Sequence, residues 1–408
     1  MDPSEAALLR LLLSPLLLLA LLACPEGAAQ LLPPFPSSPA LSAPSPGVMA
    51  APFQVEPYLQ LGAGPSSPDR LALLWHAQDG LSDWTVEIKP QSGEDWTRMA
   101  PPVSVLVDTP GSRCHRVWSA ALTPLGPGLP FDYRVLLGGS EVFRAEGKAL
   151  KAPGQPQEVV VAGDLAGKDP LGAAALVRLI HQQNPDLMVA AGGLVPPQDS
   201  LQQYRRCFFP VYNAGRADPK TGAPFMRSTV LVSAPARDPG PAGRLAYRTY
   251  WDQPQAGPEP WTGLVRGGAL APGEAPAPEG NFWFRSGDAH WTMLGALPRA
   301  WNGPGLQAWL ARELAAAQSA RWRFVVCARP APEDAEAMRT LWPLFRKYRV
   351  AIVFSGRQPF ITDRPAPSGP APAPRAPGFS RLAVSASRVV CEQIDGQGGS
   401  LGRFTLSQ

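Results

Sequence analysis

The chain has 408 residues, 45% of them hydrophobic, so it is long enough for about two domains and apolar enough to bury a sizeable core. Lys and Arg number 37 against 33 Asp and Glu, and the net charge of +4 is spread without a basic run interleaved with aromatics, which excludes an evident nucleic-acid surface. The 50 Pro and 39 Gly residues predict irregular connections in place of long helices.

At the N-terminus Arg10 precedes an uncharged apolar stretch, Leu11 to Ala23. That is the pattern of an export signal and is short for a membrane span. Leu21-Leu22-Ala23-Cys24 resembles a bacterial lipobox, with Cys24 as the lipidated residue. Gly27-Ala28-Ala29 offers an ordinary small-residue cleavage site. The expectation is a signal over 1–29, then either soluble export to the periplasm or outside, or a lipoprotein held at the membrane by its N-terminus alone, with an uncleaved anchor as a minor third alternative. Residues 30–48, rich in Pro, Ser and Ala, form a linker. Without Cys24, the cysteines are Cys114, Cys207, Cys327 and Cys391. Their even number permits two disulfides, while the apolar setting of Cys327 suits a buried thiol equally well. No Cys-x-x-Cys pair suggests a structural zinc.

Residues 49–150 read as a β-sandwich. Leu71 to Trp75, Trp84 to Ile88, Val103 to Val107, Arg116 to Ala120 and Phe131 to Leu136 are short β-type runs separated by turn signals. His76 and His115 lie on such strands and are given no role.

From Gln157 the pattern becomes α/β. Val159-Val160-Val161-Ala162 is a strand buried on both faces, ended by Gly163-Asp164. Leu171 to Gln183 is helical, and Asn184-Pro185-Asp186 stops it. Leu187 to Ala191 is a second buried strand, ending in Gly192-Gly193. Gln202 to Tyr212 is a further helix, and Thr229 to Ser233 a third strand. Phe282-Trp283-Phe284 and His290 to Leu294 form a hairpin turning at Ser286-Gly287-Asp288. Leu306 to Gln318 is an amphipathic helix with Trp309, Leu310 and Leu314 on one face. Arg323 to Cys327 and Val350 to Phe354 are strands around a helix from Glu333 to Tyr348, and Leu382 to Thr405 returns to strands. A carboxylate such as Asp164 at the carboxyl end of a buried strand is where α/β folds place groups that touch ligands.

The pieces Pro57-Tyr58-Leu59-Gln60-Leu61, Leu122-Thr123-Pro124-Leu125 and Phe131-Asp132-Tyr133-Arg134-Val135 resemble the fibronectin-III-like domain that precedes purple acid phosphatase catalytic domains. The order of elements over 156–408 resembles the metallophosphatase (calcineurin-like) fold. The implied fold class is α/β: a sandwich followed by a four-layer α/β/β/α domain. In that family Gly-Asp, Gly-Asp-x-x-Tyr, Gly-Asn-His, a lone His and Gly-His-x-His hold two metal ions (Fe, Zn or Mn). The ions generate hydroxide and clamp a phosphate ester.

Here only the first motif is intact, with Asp164 in the place of a metal ligand. Ala191-Gly192-Gly193-Leu194-Val195-Pro196 has Gly193 where the bridging aspartate belongs. Pro235-Ala236-Arg237-Asp238 puts Ala236 and Arg237 in place of the asparagine and histidine. Ala328, before Arg329-Pro330, replaces the lone histidine. Ser355-Gly356-Arg357-Gln358-Pro359 puts Arg357 and Pro359 in place of the last pair. One carboxylate against a shell of about four to six donors leaves a cation short of charge and coordination.

The other candidates are weaker. Asp199 has no motif around it. Asp238 with Asp164 makes at best a weak Ca or Mg pair. Asp288 belongs to a hairpin turn. His290 is read as structural, and His181 as a polar position on a helix surface. Arg237 and Arg357 either face solvent or gather as an anion site. No nucleophile triad stands out in the sequence.

The expectation is an exported, non-catalytic module with a binding or structural role at the cell envelope and no cofactor. Its ligand would be a phosphate-containing molecule or an envelope component. The alternative is a phosphoesterase rebuilt around Asp164 with two metal ions.

Overall fold

Alternation at period two decides the first half of the molecule. The computed structural model describes residues 52–108, 114–163, 170–195, 201–234, 240–254, 257, 280–295, 304–327, 335–356, 358–363 and 378–408. Strands β1 (Phe53–Gln60), β2 (Leu71–Gln78), β3 (Trp84–Pro90), β4 (Thr97–Arg98), β5 (Val103–Val107), β6 (His115–Leu122), β7 (Pro130–Leu137) and β8 (Ser140–Lys148) form two antiparallel sheets, ordered β1-β2-β6-β5 and β4-β3-β7-β8. Their facing sides bury Leu73, Trp75, Trp118 and Ala120 against Val86, Ile88, Tyr133 and Val135. Trp75 and Trp118, paired across β2 and β6, stack at 6.2 Å between centroids.

β2 breaks the usual rule that one face of such a sheet stays wet. Its other face, Ala72, Leu74 and His76, is also buried, against the second half of the chain. His76 and His115 are both fully buried there. Tyr58 Oη donates to the carbonyl of Tyr250 at 2.9 Å and lies 3.1 Å from His76 Nε2. The Tyr250 ring stacks on His76 at 4.4 Å, and its hydroxyl lies 3.3 Å from His115 Nε2.

The second half contains β9 (Gln157–Ala162), α1 (Pro170–Gln182), β10 (Leu187–Ala190), β11 (Val230–Ser233), α2 (Gly240–Tyr250), β12 (Phe282–Ser286), β13 (Ala289–Leu294), α3 (Pro304–Ala316), β14 (Trp322–Cys327), α4 (Ala335–Lys347), β15 (Ile352–Ser355), β16 (Gln358–Ile361), β17 (Gly378–Val384), β18 (Arg388–Asp395) and β19 (Ser400–Ser407). One sheet runs β11-β10-β9-β17-β18-β19, with β9, β10 and β11 parallel. The other runs β12-β13-β14-β15-β16, with β13, β14 and β15 parallel. The expected helix after β10 is one α turn, Leu201–Gln203, a π-helical turn, Tyr204–Phe208, and another α turn, Phe209–Tyr212.

The layers follow from which alternate residues share a core. Val159, Val161, Val189 and Val232 meet Phe284, Trp291, Phe324 and Phe354, so the two sheets pack face to face. Val160, Met188 and Leu231 point the other way, onto Leu176, Val177 and Ile180 of α1. Val325, Cys327 and Val353 pack under Trp309, Leu310 and Leu314 of α3 and Leu341 and Phe345 of α4. The result is helix, sheet, sheet, helix, with strands clothed on both faces, which is why they read as unbroken apolar runs.

Two expectations need adjustment. His181 is half-buried, its ring edge-on to Phe225 at 6.3 Å, because the Phe225–Ser228 turn covers that side of α1. The two disulfides left open by the cysteine count do not form: Cys114, Cys207, Cys327 and Cys391 are all free thiols. Cys327 and Cys391 sit in different apolar cores.

Candidate functional site at the strand ends

The parallel strands of both sheets deliver their carboxyl ends to one edge. Gly163 follows β9, Ala191-Gly192-Gly193 follow β10, and Ala234 follows β11. From the other sheet Cys327 ends β14 and Gly356 follows β15. Backbone bonds hold these ends in register: Ala191 N–H donates to the Ala162 carbonyl at 2.8 Å, and Gly356 N–H to the Cys327 carbonyl at 3.1 Å. A Cβ added to Gly163 would lie 2.9 Å from Gly356 Cα and 3.3 Å from the Ala191 carbonyl oxygen. The first, second and fifth motif segments therefore meet here, backbone against backbone.

Gly193 has φ 67°, a conformation that suits glycine, and it brings no donor atom. Pro359 is not in a loop but in β16, paired with Phe354. As the outermost strand of its sheet, β16 tolerates a residue without an N–H. Asp164, Asp199, Ala236, Arg237, Asp238, Ala328 and Arg357 lie outside the described residues, as does Cys24.

Asp288 and His290 belong to the opposite edge. Asp288 turns the β12–β13 hairpin and accepts from the Gly154 N–H at 3.0 Å. His290 is the second residue of β13 and is 2% exposed, with its ring stacked on Trp283 at 5.3 Å. Burial, aided by Arg285 and Arg323, pulls its pKa down to about 3, so the ring is neutral. It is a core residue at the amino end of its strand and does not join the Gly163–Gly356 edge. Among the described residues no three His, Cys, Asp or Glu side chains gather closely enough to hold a metal ion.

The residues at this edge do not fit a dinuclear metal centre. Gly193 and Pro359 supply no side-chain donor, and by sequence neither do Ala236 and Ala328. Arg237 and Arg357 bring positive charge and no donor lone pair for a cation. No metal-assisted step follows from such a set.

The layer order and the strand-end edge define the metallophosphatase fold, here preceded by its sandwich. The chain is similar in structure to a purple acid phosphatase isolated from yellow lupin (Lupinus luteus) seeds, with a TM-score of 0.62 and 14% identity over 87% of this chain and 75% of that one. It is also similar to PhoD, with a TM-score of 0.56 and 11% identity over 89% of this chain and 92% of that one. No family model and no curated protein matches the sequence.

Sequence reasoning found Gly163 and Gly356 only as neighbours of ligand positions. The close approach between them was signalled by nothing except that both are glycine.

Proposed function

We propose that this chain is an exported protein of metallophosphatase fold that no longer hydrolyses phosphate esters and acts as a binding or structural module at the cell envelope. One observation carries the reading: β9, β10, β11, β14 and β15 end at one edge, as the fold requires, while by sequence the ligand positions of the resembled motifs are Gly193, Ala236, Arg237, Ala328, Arg357 and Pro359. Asp164 is then a vestige of the first metal ligand. Arg237 and Arg357 are the groups that would receive an anion, such as a phosphate group of an envelope component, in place of metal-bound substrate. Export rests on the Arg10 and Leu11 to Ala23 pattern, with Cys24 as the lipidation point if the chain is anchored.

The test is phosphate release from an aryl phosphate across pH, with and without added Fe, Zn or Mn. The reading expects no turnover above buffer. Turnover that Asp164→Ala abolishes would establish the rebuilt phosphoesterase in its place.

A further inference from the structure

The far edge of the second sheet carries a cationic groove that the functional reading leaves unused. Its floor and walls are the start of β14, the start of β15, the end of β16 and the C-terminal end of β19, with the turn after α3 closing one side. The cavity is about 760 Å³, in the range of sites for small organic ligands. Arg321, Arg323 and Arg349 line it, and Asp363 is the one carboxylate side chain among the lining residues. Arg285 adds a fourth guanidinium at the rim, its Nη2 3.4 Å from Ser319 Oγ.

Asp363 offsets only part of this charge, and pairs directly with none of it. Arg323 is 9% exposed, and among the described residues it bonds only backbone carbonyls: Nη1 donates to Ala317 at 3.3 Å and Ala320 at 3.0 Å, and Nε to Arg349 at 3.3 Å. Among the described residues no carboxylate stands within ion-pair distance of any of these four arginines. The repulsion is felt locally. Burial and then Arg349 lower the pKa of Arg323, and Arg285 and Arg323 add to the lowering at His290. A nearly buried guanidinium without a counter-ion, flanked by exposed ones, is a positive potential held in place by the fold.

We propose that this groove binds a diphosphate-bearing anion, with Arg321 and Arg349 as the pairing groups and Arg323 as the fixed charge beneath them. The planar forks of Arg321 and Arg349 suit the oxygens of adjacent phosphates. Sequence reading missed the site because its arginines come from the start of β14 (Arg321 and Arg323), the turn before β15 (Arg349) and the end of β12 (Arg285), which only the fold brings together.

The experiment is isothermal titration of the full chain with inorganic pyrophosphate at low ionic strength. The wild type should bind, with affinity falling as salt is added. Arg321→Gln with Arg349→Asn, Asn being tolerated at the left-handed φ of 51°, should weaken binding about tenfold or more at an unchanged melting temperature. Both titrations are repeated in an Arg237→Gln, Arg357→Gln background, which removes the anion pair proposed above and so separates the two sites; Arg98→Gln, an exposed arginine of the sandwich, should leave binding intact there. Absence of binding, or binding that survives the double substitution, would overturn the proposal.

Discussion

Gly163 and Gly356 touch through their backbones: a methyl group on the first would fall 2.9 Å from the Cα of the second. This contact joins β9, inside one sheet, to β15, next to the outer strand of the other, at the edge where the motif segments end. Gly163→Ala forces the sheets apart locally and should cost about 1–3 kcal/mol. Gly305→Ala in the first turn of α3, where an added Cβ meets nothing within 4 Å, should stay within about 0.5 kcal/mol of wild type. Urea midpoints of the two variants check the contrast.

The sandwich and the four-layer domain share a buried face, and Tyr58 is its pivot. Tyr58→Phe removes the 2.9 Å bond to the Tyr250 carbonyl and leaves His76 Nε2 without that 3.1 Å neighbour. The expected loss is about 1–3 kcal/mol, since a buried polar group is stranded. Calorimetry should show one transition moving down as a unit. A split into two transitions would mean the face contributes little.

Stability should fall in acid because of buried histidines. His76 is held neutral by burial, with His115 and Arg205 adding to the effect; Tyr58 and Tyr250 supply the facing hydroxyls. His290 is lowered to about 3. The unfolded chain takes up these protons near pH 6.5 and the folded one refuses them, so stability is full above that pH and declines below it. The slope is up to about 1.4 kcal/mol per pH unit for each such histidine, down to about pH 3 for His290. Urea midpoints between pH 8 and 4 measure it, and His290→Leu should flatten the decline.

Thiol reactivity should separate the cysteines by depth. Cys207 is exposed and Cys114 half-buried, so both should react with a disulfide reagent in the folded protein. Cys327 and Cys391 should react only on unfolding, burial having pushed the Cys391 thiol up to about 12 and that of Cys327 further still. A reductant should leave the melting temperature unchanged.

What the sequence made legible were the elements buried on both faces. Val159 to Ala162, Leu187 to Ala190 and Phe324 to Cys327 are apolar throughout, and the buried faces of α3 and α4 repeat at helical spacing. β8 went unread because Glu141, Arg144 and Glu146 obscure its one buried ring, Phe143. α2 begins Gly-Pro-Ala-Gly, a turn signal that tertiary packing of Ala246 and Tyr250 overrides. β16 was hidden by Pro359, which only an outer strand accepts. At the candidate site the residue types were legible from motif spacing. The meeting of Gly163 with Gly356 was not, because it depends on how two sheets pack.

Metal content is the most direct test of the central claim. The purified full chain, exposed to excess Fe, Zn and Mn and then exchanged into metal-free buffer, is analysed by elemental mass spectrometry. The account predicts far less than one ion per chain, whereas about two tightly held ions per chain would contradict it.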